Sequence, residues 1–304
     1  MSWRQRHSSS VPLLRYVSAQ RLDIIQIGRK MKNFIEFLEG RVQGTGSLLC
    51  IGLDPHLADL ESPTAESALK FCLGIVKETA DYASAFKPNA AFFEIFGAEG
   101  WDALKELIAT INALSIPLIL DAKRGDIAST AEAYAKSAFE HLHADAITLN
   151  PYLGKDSIDP FIENPEKGAF LLCKTSNPGS DDLQNLQVSP LLDGEGAGVR
   201  ALYEHVAKLA QSWNTNNNIG LVVGATQPEA LAKVRAAAPD LWFLAPGVGA
   251  QGGDLATALK AGLREDGKGM LISVSRSVAR AEMPRKASRE LMNEILKVKK
   301  EIGL

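Results

Sequence analysis

From Gly46 onward, short apolar runs alternate with longer stretches of helical periodicity. Eight of the runs predict strands, at residues 48–53, 83–87, 117–121, 144–149, 169–175, 219–224, 242–246 and 270–274. They are continuously apolar instead of alternating, which is the pattern of a parallel sheet covered on both faces. Helical periodicity falls between them, at 64–82, 98–114, 129–143, 196–214, 228–238, 255–263 and 280–300. Eight β-α repeats in one domain-sized length predict the α/β class and a single (β/α)8 TIM barrel over residues 31–304. An open doubly wound sheet is the structural alternative. It usually has fewer strands and a G-x-G-x-x-G turn after the first, which this chain lacks. The longest connection, 176–198, carries polar residues and glycines and has the length of a lid.

The first 30 residues break the pattern. Arg4, Arg6, Arg15 and Arg21, a run of serines and no acid before Asp23 resemble a transit peptide in composition. Met31-Lys32-Asn33-Phe34 then opens an amphipathic helix, so residues 1–30 are read as a disordered extension, or as an upstream start, outside the fold. With 46% hydrophobic and 23% charged residues, the remainder is ordinary for a globular chain. A net charge of −3, with no basic block interleaved with aromatics, excludes an evident nucleic-acid surface. No apolar run reaches the roughly 18 residues of a membrane span. Cys50, Cys72 and Cys173 are widely spaced in apolar stretches and read as buried thiols of a reducing, cytoplasmic compartment. The histidines form no ligand pattern, since His141 and His143, two apart on a predicted helix, face different ways. No metal site is predicted.

Chemistry in such a barrel sits at the C-terminal ends of the strands. The third strand is the most informative: Leu118-Ile119-Leu120-Asp121-Ala122-Lys123-Arg124-Gly125-Asp126 reads D-x-K-x-x-D. Side chains two apart on a strand share a face, so Asp121 and Lys123 point the same way, with Asp126 in the turn beyond. Two carboxylates flanking one ammonium hold it charged and fixed, able to deliver a proton to carbon without a metal. A purely structural ion-pair network is the plain reading of the same motif. Taken singly, the other strand ends also have plain readings. Asp54 before Pro55 is a turn former, Lys87 a solvated rim charge, and Ser176-Asn177-Pro178-Gly179 turn chemistry. Jointly they put Asp and Lys at successive strand ends and glycines at the last ones. The turn from Gly247 to Gly253 after strand seven, with Arg276 after strand eight, points to a phosphate. Glycines let N–H groups approach the anion, the following helix adds its positive end, and arginine adds a bidentate contact.

These motifs carry a resemblance. D-A-K-R-G-D-I-A-S-T, preceded by G-L-D-P and F-K-P-N and followed by S-N-P-G and P-G-V-G-A-Q-G-G-D, resembles orotidine 5′-phosphate decarboxylase from about Met31 to the C-terminus. Lys-Arg-Gly-Asp in the signature is similar to the divergent, mostly bacterial type 2 branch. The resemblance implies conversion of orotidine monophosphate to uridine monophosphate, the last step of pyrimidine synthesis, with no cofactor or metal. It implies that Asp54 and Lys87 bind the ribose hydroxyls, that Asp121 and Lys123 form the catalytic pair, and that Lys123 donates the proton. Asp126 and Thr130 match residues that reach into the partner subunit's site, implying a homodimer with shared active sites. Ser176 matches the residue that hydrogen-bonds the pyrimidine, and Gln251 and Arg276 match the phosphate grip.

Two other readings compete. A Mg²⁺-dependent sugar-phosphate decarboxylase or aldolase of the same superfamily shares D-x-K-x-x-D but wants an acidic metal ligand at the second strand's end. Lys87 stands there and would repel the cation. A non-catalytic phosphate-ligand sensor on a barrel scaffold has no need of Asp121, Lys123 and Asp126 together.

Overall fold

In a computed structural model of the chain, residues 33–189, 199–248 and 253–304 are described. The first helix, α1 (Phe34–Thr45), starts at Asn33, whose side chain accepts the Glu36 N–H at 2.9 Å and so satisfies one of the free donors of the first turn. Its buried face, Phe34, Ile35, Leu38 and Val42, packs under the barrel, where Phe34 meets Phe170 edge to face at 6.1 Å. This helix therefore closes the N-terminal end of the barrel.

Eight parallel strands follow: β1 (Leu49–Leu53), β2 (Ala83–Pro88), β3 (Ile119–Arg124), β4 (Ala146–Leu149), β5 (Gly168–Lys174), β6 (Ile219–Val223), β7 (Trp242–Pro246) and β8 (Met270–Val274). They pair in the order β2-β1-β8-β7-β6-β5-β4-β3. The predicted TIM barrel is thus the observed architecture, and each predicted strand is present, shifted by no more than a few residues. The helices that cover it are α2 (Ala65–Thr79), α3 (Gly97–Ala113), α4 (Ala128–Lys136), α5 (Leu202–Trp213), α6 (Pro228–Ala237), α7 (Leu255–Gly262) and α8 (Pro284–Glu301). Strands β1, β2, β4, β6 and β8 are buried along their whole length, because side chains facing the interior and those facing the helices both leave water.

Two departures from regularity matter for the site. Strands β2 and β3 meet through two isolated bridges, Phe86 with Leu118 and Asn89 with Asp121, whereas the other neighbours share three or more paired positions. This seam completes the barrel. On its other side β3 slips in register against β4 between Leu120 and Arg124, and Lys123 lies in left-handed backbone at φ 46°. A non-glycine residue there carries a cost of roughly 1–2 kcal/mol, which its surroundings must offset. The strand consequently runs on to Arg124, past the predicted end at Asp121.

The predicted helix over 129–143 is α4 followed by a π-helical turn at Ser137–His141. The predicted 280–300 helix begins at Pro284, after a short helical turn at Arg276–Ala279. The three cysteines are free and buried, as expected. No helix among the described residues is long and apolar enough to cross a membrane. Residues 1–30 lie outside the described residues.

Candidate active site

A cavity of about 230 Å³ opens at the C-terminal end of the barrel. Asp54, Lys87, Asp121, Lys123 and Arg276, five residues singled out from the sequence, line it together. Each stands at the end of its own strand or just beyond, except Asp121 and Lys123, which share β3.

On its floor lies a chain of charges. Lys87 Nζ contacts Asp121 Oδ2 at 2.6 Å, and Lys123 Nζ contacts Asp121 Oδ1 at 2.6 Å. The Lys87 and Asp121 side chains are each only 10% exposed, while Lys123 is half exposed. Burial by itself would raise the Asp121 pKa, but the Lys87 ammonium and then that of Lys123 outweigh it and hold the carboxyl well below the usual range. For Lys87, burial would favour the neutral amine. The charges of Asp121 and then Asp54 reverse this and keep it protonated beyond its ordinary range. Asp121 and Lys87 are therefore both ionised at neutral pH, with the Lys123 side chain on the same carboxylate.

This corrects one expectation. The D-x-K-x-x-D spacing puts two carboxylates around Lys123, but within the chain the arrangement is one carboxylate between two lysines. Asp126 forms no ion pair among the described residues, and its Oδ1 accepts the N–H of Ile127 at 2.8 Å. The strand alternation behind that expectation is broken by the register shift between Leu120 and Arg124, so it does not carry on to Asp126. Asp126 and the exposed Thr130 sit on the turn entering α4, outside the cavity lining.

Asp54 offers an unused acceptor. Its Oδ1 is buried without a hydrogen-bond partner, a costly state unless a ligand hydroxyl fills it. Gly52 makes room for this carboxylate, since a Cβ there would come within 2.8 Å of Ser275 Cβ and 3.2 Å of Asp54 Oδ2. Arg276 is exposed at the cavity mouth and forms no ion pair among the described residues, which leaves its guanidinium available to an anion. Gly247 and Val248 line the same wall, and Val248 bridges to Gly253 at the base of the glycine-rich turn. Gln251 lies outside the described residues. Ser176 lies two residues past β5 and packs against Gly224, where an added Cβ would be 3.0 Å from its own; it is not part of the cavity lining.

The 176–198 connection is anchored at its root. Lys174, with a side chain only 1% exposed, reaches Ser180 Oγ at 3.0 Å and Asp181 Oδ1 at 2.7 Å. Thr175 exchanges two hydrogen bonds with Gln184, both 2.9 Å. Other lining residues carried no role in the sequence reading, three of them polar side chains with defined neighbours. Thr148 donates to Asp121 Oδ1 at 3.0 Å, His56 packs edge-on to Phe92 at 4.4 Å, and Ser273 sits beside Cys50 on the neighbouring strand. His56 directly follows D-P, so reading two residues past Asp54 would have found it.

Comparison with known proteins places the chain in a family. Residues 47–291 match the profile of the Orotidine 5′-phosphate decarboxylase / HUMPS family. The chain is 50% identical over 254 residues to the orotidine 5′-phosphate decarboxylase of the bacterium Roseiflexus castenholzii, covering 82% of this chain and 90% of that one. Among solved structures, Leishmania donovani OMP decarboxylase is 54% identical with a TM-score of 0.78, over 88% of this chain and 98% of its own. L. donovani UMP synthase is 55% identical with a TM-score of 0.81, and this chain spans 57% of its length.

Proposed function

The chain belongs to the orotidine 5′-phosphate decarboxylase / HUMPS family, and from that membership and the cavity's charges we propose that it converts orotidine 5′-monophosphate to uridine 5′-monophosphate and CO₂, in pyrimidine biosynthesis. The observation that carries the reading is the Lys87–Asp121–Lys123 chain on the floor of a cavity with a free guanidinium at its mouth. The bond from the pyrimidine ring to its carboxylate breaks, CO₂ leaves, and the electron pair stays on the ring carbon. A proton from the Lys123 ammonium moves to that carbon, and the neutral amine is reprotonated from solvent.

Magnitudes decide which effect matters. Asp121 near the substrate carboxylate repels it by about 4 kcal/mol at roughly 4 Å and an effective dielectric of 20. Large enzymic accelerations need about 8–23 kcal/mol, and here two ammonium groups already compensate the Asp121 charge. Ground-state repulsion is therefore a minor contributor. A fixed ammonium beside a forming carbanion acts on the transition state selectively. Asp54 and Lys87 would hold the ribose hydroxyls, Ser176 the pyrimidine, and Gln251 and Arg276 the phosphate. Binding energy gathered from phosphate and ribose holds the ring carbon against Lys123. Lys87 also argues against the magnesium-dependent sugar-phosphate reading, because its ammonium stands where a cation ligand is needed.

A homodimer with shared sites completes the reading. Ile95, Ile127 and Tyr152, beyond β2, β3 and β4, are 58%, 52% and 73% exposed, beside the turn that carries Asp126 and Thr130. A second copy seated there would cover them and bring its own Asp126 and Thr130 to the first copy's cavity.

The test is loss of ultraviolet absorbance from orotidine monophosphate with the purified chain, run with and without a chelator. Equal decarboxylation in both is expected. No CO₂ release would defeat the reading, and activity abolished by chelator would return the metal-dependent alternative.

A further inference from the structure

Between the pairs Leu120 with Ile147 and Arg124 with Leu149, β3 has three residues where β4 has one. That one is Thr148, 1% exposed and on the cavity wall. The slip removes the ladder partners of two consecutive N–H groups, and a single side-chain oxygen replaces both. Thr148 Oγ1 accepts from Ala122 N at 3.1 Å and from Lys123 N at 3.0 Å. A hydroxyl has one hydrogen and two lone pairs. Both lone pairs are taken, so its hydrogen is committed to the remaining neighbour, Asp121 Oδ1, at 3.0 Å.

We propose that Thr148 is a positioning residue that fixes the left-handed backbone of Lys123 and keeps Asp121 an anion through the proton transfer. One oxygen thus sets both the backbone from which the ammonium projects and the orientation of the carboxylate that holds it. When Lys123 gives up its proton, Asp121 loses that charged neighbour but keeps the Thr148 and Lys87 donors. It therefore stays ionised and favours return of a proton to the amine. The charged or titratable groups facing it are Lys87 and Lys123 in contact, with Asp54 and Cys50 nearby. This assignment rests on Lys123 as the proton donor.

Thr148→Val preserves shape but removes all three bonds, and Thr148→Ser keeps them. For Thr148→Val, kcat should fall about ten- to a hundredfold, as for loss of a hydrogen bond to a charged group, with KM within about twofold. Thr148→Ser should restore kcat to within about threefold of the parent at the same KM. If the valine variant does not fold, Thr148→Cys, a weaker donor and acceptor, should turn over more slowly than the serine variant. A valine variant with parental kcat, a loss confined to KM, or a serine variant as slow as valine would overturn the proposal. So would a cysteine variant as fast as serine. Wild-type protein measured alongside separates this from failure of the functional reading, because then no variant and no parent would release CO₂.

Discussion

At the scale of single residues, the proposed reaction divides its labour between the reacting carbon and the remote phosphate. Lys123→Ala should remove nearly all turnover while the substrate still binds, since Lys87 remains on Asp121 and the other contacts are untouched. Calorimetric titration with orotidine monophosphate, beside the absorbance assay, checks both halves. Substantial turnover in that variant would remove Lys123 from the proton-donor role. Arg276→Ala should mainly weaken binding, raising KM tenfold or more as expected for a lost charge-assisted phosphate contact of about 1.5–3 kcal/mol. An unchanged affinity would count against the grip. The sequence made Asp54, Lys87, Asp121, Lys123 and Arg276 legible because charged residues at successive strand ends are rare without a ligand. Thr148 was invisible to the same reading. Threonine is common in strands, and its task here exists only because of a register slip that no local pattern announces.

At the scale of elements, the strands were legible as continuous apolar runs, and their helices as the periodic stretches between them. What could not be read was local irregularity: the bulge before Arg124, the π-turn at Ser137–His141, and the Asp126 carboxylate bonded to the Ile127 N–H instead of to Lys123. Asp145, just before β4, illustrates a different strain. Burial raises its pKa to about 6, against the lowering effects of Lys167 at 4.0 Å and the Leu118 N–H. A folded pKa above the unfolded value means the folded state binds more protons, so this residue's contribution falls as pH rises from about 4 to about 6. Asp145→Asn keeps an acceptor for Leu118 and removes the charge. Its melting temperature should exceed the parent's by about 2 °C or more at pH 8, with a smaller gain at pH 5. Equal gains at both pH values would show that the buried charge is not the cause.

At the scale of the whole molecule, the fold brings the proposed catalytic groups of one chain together but leaves Asp126 and Thr130 outside the cavity lining. The proposed shared-site dimer turns this into a complementation test. Lys123→Ala and Asp126→Asn proteins should each be inactive alone. Mixed and allowed to exchange subunits, they should regain turnover, because one of the two sites in each hybrid then carries both native residues. Mixtures that stay inactive while light scattering reports hybrid dimers would show that each chain works alone.

The seam between β2 and β3 adds a last consequence. Its backbone ladder is the thinnest in the barrel, two bridges, and side chains stitch across it: Lys87 to Asp121 below, and Glu94 to Arg124 at 2.7 Å above. The staves of this cask are therefore held at their weakest joint by the same ions that the proposed chemistry employs. Anything that tightens those ions, a docked nucleotide above all, also tightens the hoop, so an occupied barrel should outlast an empty one under heat or protease.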